Sequence, residues 1–250
     1  MHLAETTWPD AADVDTDLAV LPVGSTEQHG PHAPLSTDTL SAAAVAEAGA
    51  DAYDDEVVVA PALPYGISKE HRHFSGTLWL SPDTFRDAVR DVIESLTHHG
   101  WDRVVIVNGH GGNTDALREV AASVSREGTA YAAAFTWFDA VDPEDVGDAP
   151  DPDEMGHAGS VETSVVMHHA PHLLRENRFE EAADGASDGW GEWVSGVNLA
   201  YDSAAFTENG VIGDPSTATA KRGTKLTAEA GDALADLFEA IAGRDVSSER

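Results

Sequence analysis

Apolar residues along the chain fall into two kinds of run, and their alternation predicts the fold. Continuous aliphatic runs occur at Leu18–Val23, at residues 56–60, at 103–107 and at 131–137. Runs that stay apolar on consecutive positions, without alternation, read as strands buried on both faces. Between them lie stretches with small or apolar residues at helical spacing: the alanine-rich 38–52, then 82–99, 114–126, 161–169 and a final segment ending near 242. Ser81-Pro82-Asp83 supplies a cap, a first-turn proline and a first-turn acid for the second of these, and Gly100 ends it. Asp214-Pro215 predicts the start of the last helix, with Gly223 as a break in it. Residues 139–154 are acidic and proline-bearing and predict a surface loop, and residues 171–212 read as mostly irregular. Strands alternating with helices predict an α/β fold, a mostly parallel sheet with helices on both faces. No repeat or linker divides the chain, so residues 1–250 read as a single domain.

Polar punctuation after two of the strands carries the candidate chemistry. The first strand runs into Gly-Ser-Thr-Glu27-Gln-His29-Gly-Pro-His32-Ala-Pro-Leu-Ser-Thr-Asp38. Side chains two apart on extended backbone share a face, so Glu27 and His29 can address one pocket while Pro31 and Pro34 stiffen the return to Asp38. Two carboxylates and an imidazole are donors for a divalent transition metal, although an isolated Glu-x-His is also an ordinary polar loop. The second cluster, Asn108-Gly-His110-Gly-Gly-Asn113, follows the clearest strand. Its glycines force a tight turn, and His110 leaves the carboxyl end of a strand, where open α/β sheets place ligands. The glycine spacing and the absence of a nearby lysine exclude a phosphate-binding P-loop. The third is His157-Ala-Gly-Ser-Val-Glu162-Thr-Ser. Gly159 allows a turn, Ser160 is a candidate N-cap, and Glu162 reads equally as an acid favoured by the helix dipole.

Composition narrows the class. The chain has 45 acidic against 14 basic residues, a formal charge of -31, and only Lys69, Lys221 and Lys225 among its lysines. The acids are dispersed rather than gathered in a tail. Such a surface repels itself until salt screens it, to about 3 Å at 1 M, so the chain reads as salt-adapted, halophilic and cytoplasmic. Nucleic acid and anionic membranes are poor partners for it. There are no cysteines, which excludes disulfide and thiolate chemistry. The N-terminal residues lack the basic and apolar regions of a signal peptide, and no apolar run approaches the roughly 20 residues of a membrane span.

Taken together, G-S-T-E-x-H-G-P-H with T-D, then N-G-H-G-G-N, then H-A-G-x-x-E-T-S, resembles the creatininase (creatinine amidohydrolase) family. Tyr65-Gly66, Glu70-His71 and Phe74-Ser-Gly-Thr77 fit the same pattern, and the likeness covers roughly residues 15–242. The resemblance implies a three-layer α/β/α fold, a binuclear centre of two divalent ions (Zn, Mn or Fe), and hydrolysis of carbon–nitrogen amide bonds other than ordinary peptide bonds. It also implies a homo-oligomer, in some members a hexamer, acting on a small-molecule amide. By that resemblance Glu27, Asp38 and His110 hold one metal, and His29 and Asp38 hold the other with Asp38 bridging. Two such ions, about 3.5–4 Å apart, would lower the pKa of a shared water and polarise the scissile carbonyl. His157 is then the candidate for protonating the departing nitrogen, while His32, His71 and Tyr65 are candidate substrate contacts, His32 and His71 alternatively partners that support the metal ligands.

The chain also departs from the family pattern. Creatininase carries a glutamate ligand two residues after the motif histidine, where this chain has Gly112, and Glu162 is the candidate substitute as ligand and catalytic group. Creatininase has a tryptophan where this chain has Asp153. Trp190 and Trp193 lie on an irregular segment and are expected to pack in the interior, with an aromatic wall to the site as the alternative, and His98, His99, His168, His169 and His172 to be structural or exposed. Two branches compete for the substrate: a formamide hydrolase acting on a phosphorylated pyrimidine, for which Lys69, Arg72 and Arg103 are the available cations, and a peptidase that trims the mycofactocin precursor. A reading of another class is a metal-stabilised oligomeric binding protein without activity.

Overall fold

A computed structural model describes residues 1–141 and 155–244. Most of the expected loop at 139–154, and Asp153 with it, lies outside the described residues. A short helix, α1 (Trp8–Ala12), leads into strand β1 (Leu18–Val23) and helix α2 (Thr37–Ala52). Then follow β2 (Val58–Val59), α3 (Pro82–His98), β3 (Arg103–Asn108), α4 (Thr114–Arg126) and β4 (Tyr131–Thr136). Beyond the central sheet come α5 (Ser160–His169), α6 (Phe179–Asp184), a small hairpin of β5 (Trp193–Val194) and β6 (Val197–Asn198), and the long α7 (Ala220–Ala242).

The sheet has the order β2-β1-β3-β4, all parallel. Its continuous apolar runs are explained by burial on both faces. Leu18, Val20, Val105 and Val107 pack against α2, α5 and α7, while Ala19, Leu21, Val104 and Ile106 pack against α3 and α4. This is the expected three-layer α/β/α architecture. β2 is shorter than residues 56–60 because Pro61 has no N–H to extend the ladder and the Met1 main chain takes the edge: the Met1 amino group donates to Val57 O and Val59 N to Met1 O, each at 2.7 Å.

Two helix boundaries differ from expectation. Asp214 caps only a short 3-10 turn, accepting from Ser216 N, and the α7 cap is Thr219, whose hydroxyl accepts from Arg222 N. Gly223 does not interrupt α7. A Cβ there would lie 1.9 Å from Ser164 O, so the glycine lets α7 press against α5. For the same packing reason Ser160 is not the cap of α5. Gly159 is the N-cap, and the Ser160 hydroxyl accepts from Arg222 Nη1 at 2.7 Å.

Candidate metal centre

The chain leaves β1 to one side to make β2 and to the other to make β4. The gap between β1 and β3 is therefore the switch point at whose carboxyl end open sheets bind ligands. The register pairs Val23 with Asn108, so both strands end level and release their polar loops at one edge. The loops are tied there by amides whose role the sequence reading missed. Asn113 donates to Gly24 O (3.1 Å) and accepts from Ile67 N (2.9 Å), and Asn108 accepts from His110 N (3.1 Å) while donating to Thr114 and Thr136 hydroxyls. Asparagines in a glycine-rich turn are the only signal that could have found them.

Within this frame Glu27, His29, Asp38, His110 and Glu162 converge, all buried. His29 Nε2 lies 3.0 Å from Asp38 Oδ1 and 3.6 Å from Glu162 Oε2. His110 Nδ1 lies 3.2 Å from Glu27 Oε1 and 3.4 Å from Asp38 Oδ2. Asp38, in the first turn of α2, thus faces both imidazoles. The far nitrogen of each ring is already used: His29 Nδ1 donates to Glu27 O (3.2 Å) and His110 Nε2 to Ile67 O (2.8 Å), since a carbonyl can only accept. Each ring therefore turns its remaining lone pair toward carboxylate oxygens. Glu27 Oε1 and Oε2, His29 Nε2 and Asp38 Oδ2 have no hydrogen-bond partner among the described residues. Lone pairs facing lone pairs in a buried site need a cation between them, a proton or a metal. Outer nitrogens held by carbonyls are the usual support for metal-bound imidazoles. The donor atoms fall into three groups close enough to share an ion: Glu27 with Asp38 and His110, His29 with His157 and Glu162, and Glu27 with His71 and His157.

Without a metal, protons do this work. Burial alone would lower the His110 pKa, but Glu27 and Asp38 outweigh it and hold it up at about 10. His29 is likewise held well above its ordinary value by Asp38 and Glu162 against burial. Burial and the Glu27 charge raise Asp38 to about 7. Burial in the company of other imidazoles has the opposite effect on His157, lowered to about 4, and His71, lowered to about 2. Both are neutral bases at neutral pH.

His157 is presented by a constrained turn. Its N–H and C=O pair with Ile212 (3.0 and 2.9 Å), and the next residue, Ala158, has φ +57°, uncommon for a residue with a Cβ. Glu162 Oε2 holds that turn by accepting from Ala158 N at 2.6 Å. The glutamate at the helix start therefore both stabilises the turn and faces His29.

The missing ligand at position 112 has a steric cause. A Cβ on Gly112 would meet Ile67 O at 2.4 Å, His110 Nε2 at 2.5 Å and Glu70 Oε1 at 3.0 Å. The His110–Ile67 hydrogen bond and the Glu70 carboxylate fill the space a side chain would need.

A family model described as creatinine amidohydrolase matches residues 4–238. The chain belongs to the creatininase family. The mycofactocin precursor peptide peptidase of Mycolicibacterium smegmatis is 38% identical over 227 residues, covering 88% of this chain and 83% of that protein. The creatinine amidohydrolase of Pseudomonas putida is 30% identical over 199 residues, 71% and 75% of the two chains. A manganese creatininase structure superposes with a TM-score of 0.78 at 25% identity over 97% of this chain and 99% of that one. This creatininase-family chain is accordingly an amidohydrolase, acting on carbon–nitrogen bonds.

Above the carboxylate and imidazole cluster this amidohydrolase has a cavity of about 480 Å³. His71, His110, His157, Glu162 and Glu70 form its floor, and Phe138, Met155, Trp190 and Tyr201 line its wall. Trp190 and Trp193 do not pack in the interior as expected. Trp190 is 40% exposed and edge-on to His71 and His157, and Trp193 is 61% exposed, donating from Nε1 to Trp190 O. The tight Gly-Trp-Gly-Glu-Trp turn carries them out of reach of either core cluster. Of the three candidate substrate contacts, only His71 lines the cavity. His32 is buried behind it, its Nε2 2.9 Å from the Thr163 hydroxyl, and Tyr65 is exposed outside the cavity wall. His98, His99, His168, His169 and His172 are exposed. A larger groove of about 1360 Å³ lies at the opposite end of the sheet, beneath the N-terminal segment. It gathers none of the convergent imidazoles and carboxylates.

Proposed function

We propose that the protein hydrolyses a small amide with two divalent ions, Zn, Mn or Fe, one held by Glu27, Asp38 and His110 and the other by His29, Asp38 and Glu162. The observation that carries this reading is a cluster of buried donor atoms: Glu27 Oε1 and Oε2, His29 Nε2 and Asp38 Oδ2 have no hydrogen-bond partner among the described residues. Glu27, Asp38 and His110 lie close enough to share an ion, and His29 Nε2 faces Asp38 Oδ1 at 3.0 Å and Glu162 Oε2 at 3.6 Å. Bound there, the ions would polarise the scissile carbonyl and bring a water's pKa toward neutrality. A C–O bond forms from water and the C–N bond breaks. His157 takes the proton from water and returns it to the departing nitrogen, as a neutral base on the cavity floor can.

The cavity lining bears on the substrate. No Lys or Arg is among its described residues. Arg103 starts β3, at the far end of the sheet, where it pairs with Asp17 and Ile241 O, and Arg72 pairs with Asp202. That counts against a phosphorylated substrate. An uncharged amide, or the end of a peptide against Phe138, Trp190 and Tyr201, fits better. The higher identity to a peptidase supports the peptide alternative. An inactive, metal-stabilised binding protein is the competing class. The test is metal reconstitution in molar salt, metal analysis, and turnover of creatinine, formamides and short peptides. Two ions per chain with turnover are expected, and metal without any turnover would favour the binding protein.

We also propose a halophilic, cytoplasmic protein, supported by the charge of -31, that forms a homo-oligomer, as its family membership implies. No helix among the described residues is long and apolar enough to cross a membrane. Light scattering and melting curves between about 0.1 and 1 M salt test it, because unscreened carboxylates repel over roughly 10 Å at the lower concentration. Unchanged mass and melting temperature would refute the salt adaptation.

A further inference from the structure

Gln28 stands between two proposed ligands and was given no role by the residue pattern, yet its side chain is buried in the floor of the site. We propose that Gln28 is a positioning residue: its side-chain amide fixes the tautomer of His71 and its main-chain carbonyl that of His157, so that Nδ1 of His157 is the free base facing the reacting centre. The inference rests on the proposed hydrolytic role of His157 and adds which atom does the work and what holds it.

The argument is an inventory of hydrogens. The amide orientation is fixed first. Gln28 Oε1 accepts from Gly30 N at 2.9 Å, and Gln28 Nε2 donates to Gly210 O at 3.0 Å. A flipped amide would set donor against donor at Gly30 and acceptor against acceptor at Gly210. One amide hydrogen is thus committed to Gly210. The other has two imidazole nitrogens within reach, His71 Nδ1 at 2.8 Å and His157 Nε2 at 2.9 Å. His157 Nε2 also lies 2.7 Å from Gln28 O. A carbonyl oxygen cannot donate, so this nitrogen carries the His157 proton and gives it to Gln28 O. It has no lone pair left for the amide.

The second amide hydrogen therefore goes to His71 Nδ1, which must be unprotonated. The Ser203 hydroxyl, 2.8 Å from the same nitrogen and 2.9 Å from Glu70 O, rotates to suit either acceptor. His71 then carries its proton on Nε2, which faces Glu27 Oε1 at 3.4 Å without a hydrogen bond between them. His157 is left with Nδ1 bare, 3.7 Å from Glu27 Oε1, within the ligand-distance groups of both Glu27 and Glu162. The two rings stack at 4.4 Å, so neither can turn without moving the other.

The experiment is long-range ¹⁵N–¹H correlation of the histidine rings in ¹⁵N-labelled protein, metal-free and zinc-loaded, for the wild type and Gln28→Glu. The glutamate is nearly isosteric but supplies only acceptors. In the wild type both His71 and His157 are expected to be protonated on Nε2 alone. In Gln28→Glu, His71 is expected to move its proton to Nδ1. Where a hydrolysed amide is in hand, kcat should fall about 10–100-fold, the usual cost of a lost supporting hydrogen bond at a metal site, with KM and metal content kept. Gln28→Met, which removes the side-chain donor and acceptor but keeps the main-chain carbonyl, should free the His71 tautomer and leave His157 protonated on Nε2. If Gln28→Glu does not fold, this variant carries the same spectral test. A wild-type His157 protonated on Nδ1, or a His71 tautomer unchanged in both variants, would overturn the proposal. Absence of turnover in the wild type would instead remove the hydrolytic reading and leave the tautomer assignment to stand on the spectra.

Discussion

The edge where β1 and β3 end and the segment from 155 to 212 both furnish the site, by different means. At the strand edge, four of the five convergent donors sit within a few residues of an element that could not be placed otherwise. Glu27 and His29 follow β1, His110 follows β3, and Asp38 opens α2. The 155–212 segment brings Glu162, His157, Trp190 and Tyr201 without a strand beneath them, held by the Ile212 pairing, the left-handed Ala158 and a two-residue hairpin. On the proposed function, the first region would hold most of the metal ligands, and the second would add Glu162 and an aromatic wall facing the substrate. Changes at the edge should therefore abolish metal binding and catalysis together, and changes in the segment, the proposed ligand Glu162 apart, should alter catalysis or affinity with the metal in place.

The largest effect belongs to the edge. Asp38→Ala removes the carboxylate shared by both imidazoles, and we expect loss of metal and of turnover together. Metal catalysis is worth several kcal/mol, so activity should fall by about 10³-fold or more. Metal analysis beside kinetics checks it, and full occupancy in this variant would break the comparison. His157→Ala is the counterpart in the segment. Metal should remain and kcat should fall about 10²–10⁴-fold, the usual worth of acid–base help. Near wild-type kcat with intact metal would remove His157 from the chemistry.

The same division explains what could be read from the sequence. The strands were legible because burial on both faces leaves an unbroken apolar run, and Ser81-Pro82 marked the start of α3. The convergence of Glu27, His29, Asp38 and His110 was legible from strand ends and glycine turns, but their pairing as ligands came only from the family resemblance. Gln28, Asn108 and Asn113 were not legible, because an amide's role depends on partners distant in the chain, such as Gly210 and Ile67. The exposure of Trp190 and Trp193 was misread for a similar reason: composition favours burying tryptophan, and only the hairpin decides otherwise. Gly112 registered only as a missing ligand, since the crowding by Ile67 O and Glu70 is a tertiary fact.

That crowding gives the next prediction at the edge. Gly112→Ala should displace the His110–Ile67 hydrogen bond by pressing on Ile67 O and His110 Nε2, on the side of the ring away from the Nδ1 that faces Glu27 and Asp38. Metal affinity should drop about 10–100-fold, as for other lost supporting contacts, measured by chelator competition. An unchanged affinity would mean that the Ile67 carbonyl does not orient His110. Metal uptake should also depend on pH in a definite direction. In the metal-free protein His110, with its pKa near 10, holds a proton at neutral pH, and Asp38, near 7, holds one below that. Both must leave for metal to bind, so the metal-free state carries more protons and affinity rises with pH. Each released proton contributes about tenfold per pH unit, in the window below about pH 7 for Asp38 and up to about pH 10 for His110. Chelator competition between pH 6 and 9 should give a positive slope, and a flat line would mean that the lone pairs are not proton-occupied in the absence of metal.

The smallest expected effect tests the wall itself. Trp190 stands edge-on to both His71 and His157, with ring centroids 5.9 and 6.3 Å away, and it also meets Phe206 at 5.6 Å. Each aromatic pair of this kind is worth about 0.5–1.5 kcal/mol. Because Trp190 is partly exposed, its removal should cost little fold stability and act chiefly on the substrate's side of the cavity. Trp190→Ala is expected to raise KM about 2–10-fold, the range given by one such contact, with metal content unchanged. Trp193 reaches the cavity only through its Nε1–H to Trp190 O. Trp193→Phe should therefore reproduce a fraction of the Trp190→Ala effect and never exceed it. If Trp193→Phe had the larger effect, the hairpin would contact the substrate directly and the wall would extend beyond Trp190. If Trp190→Ala lowered kcat with KM unchanged, its edge contacts would be orienting the two imidazoles, and the segment would then share in the fixed geometry assigned to the strand edge.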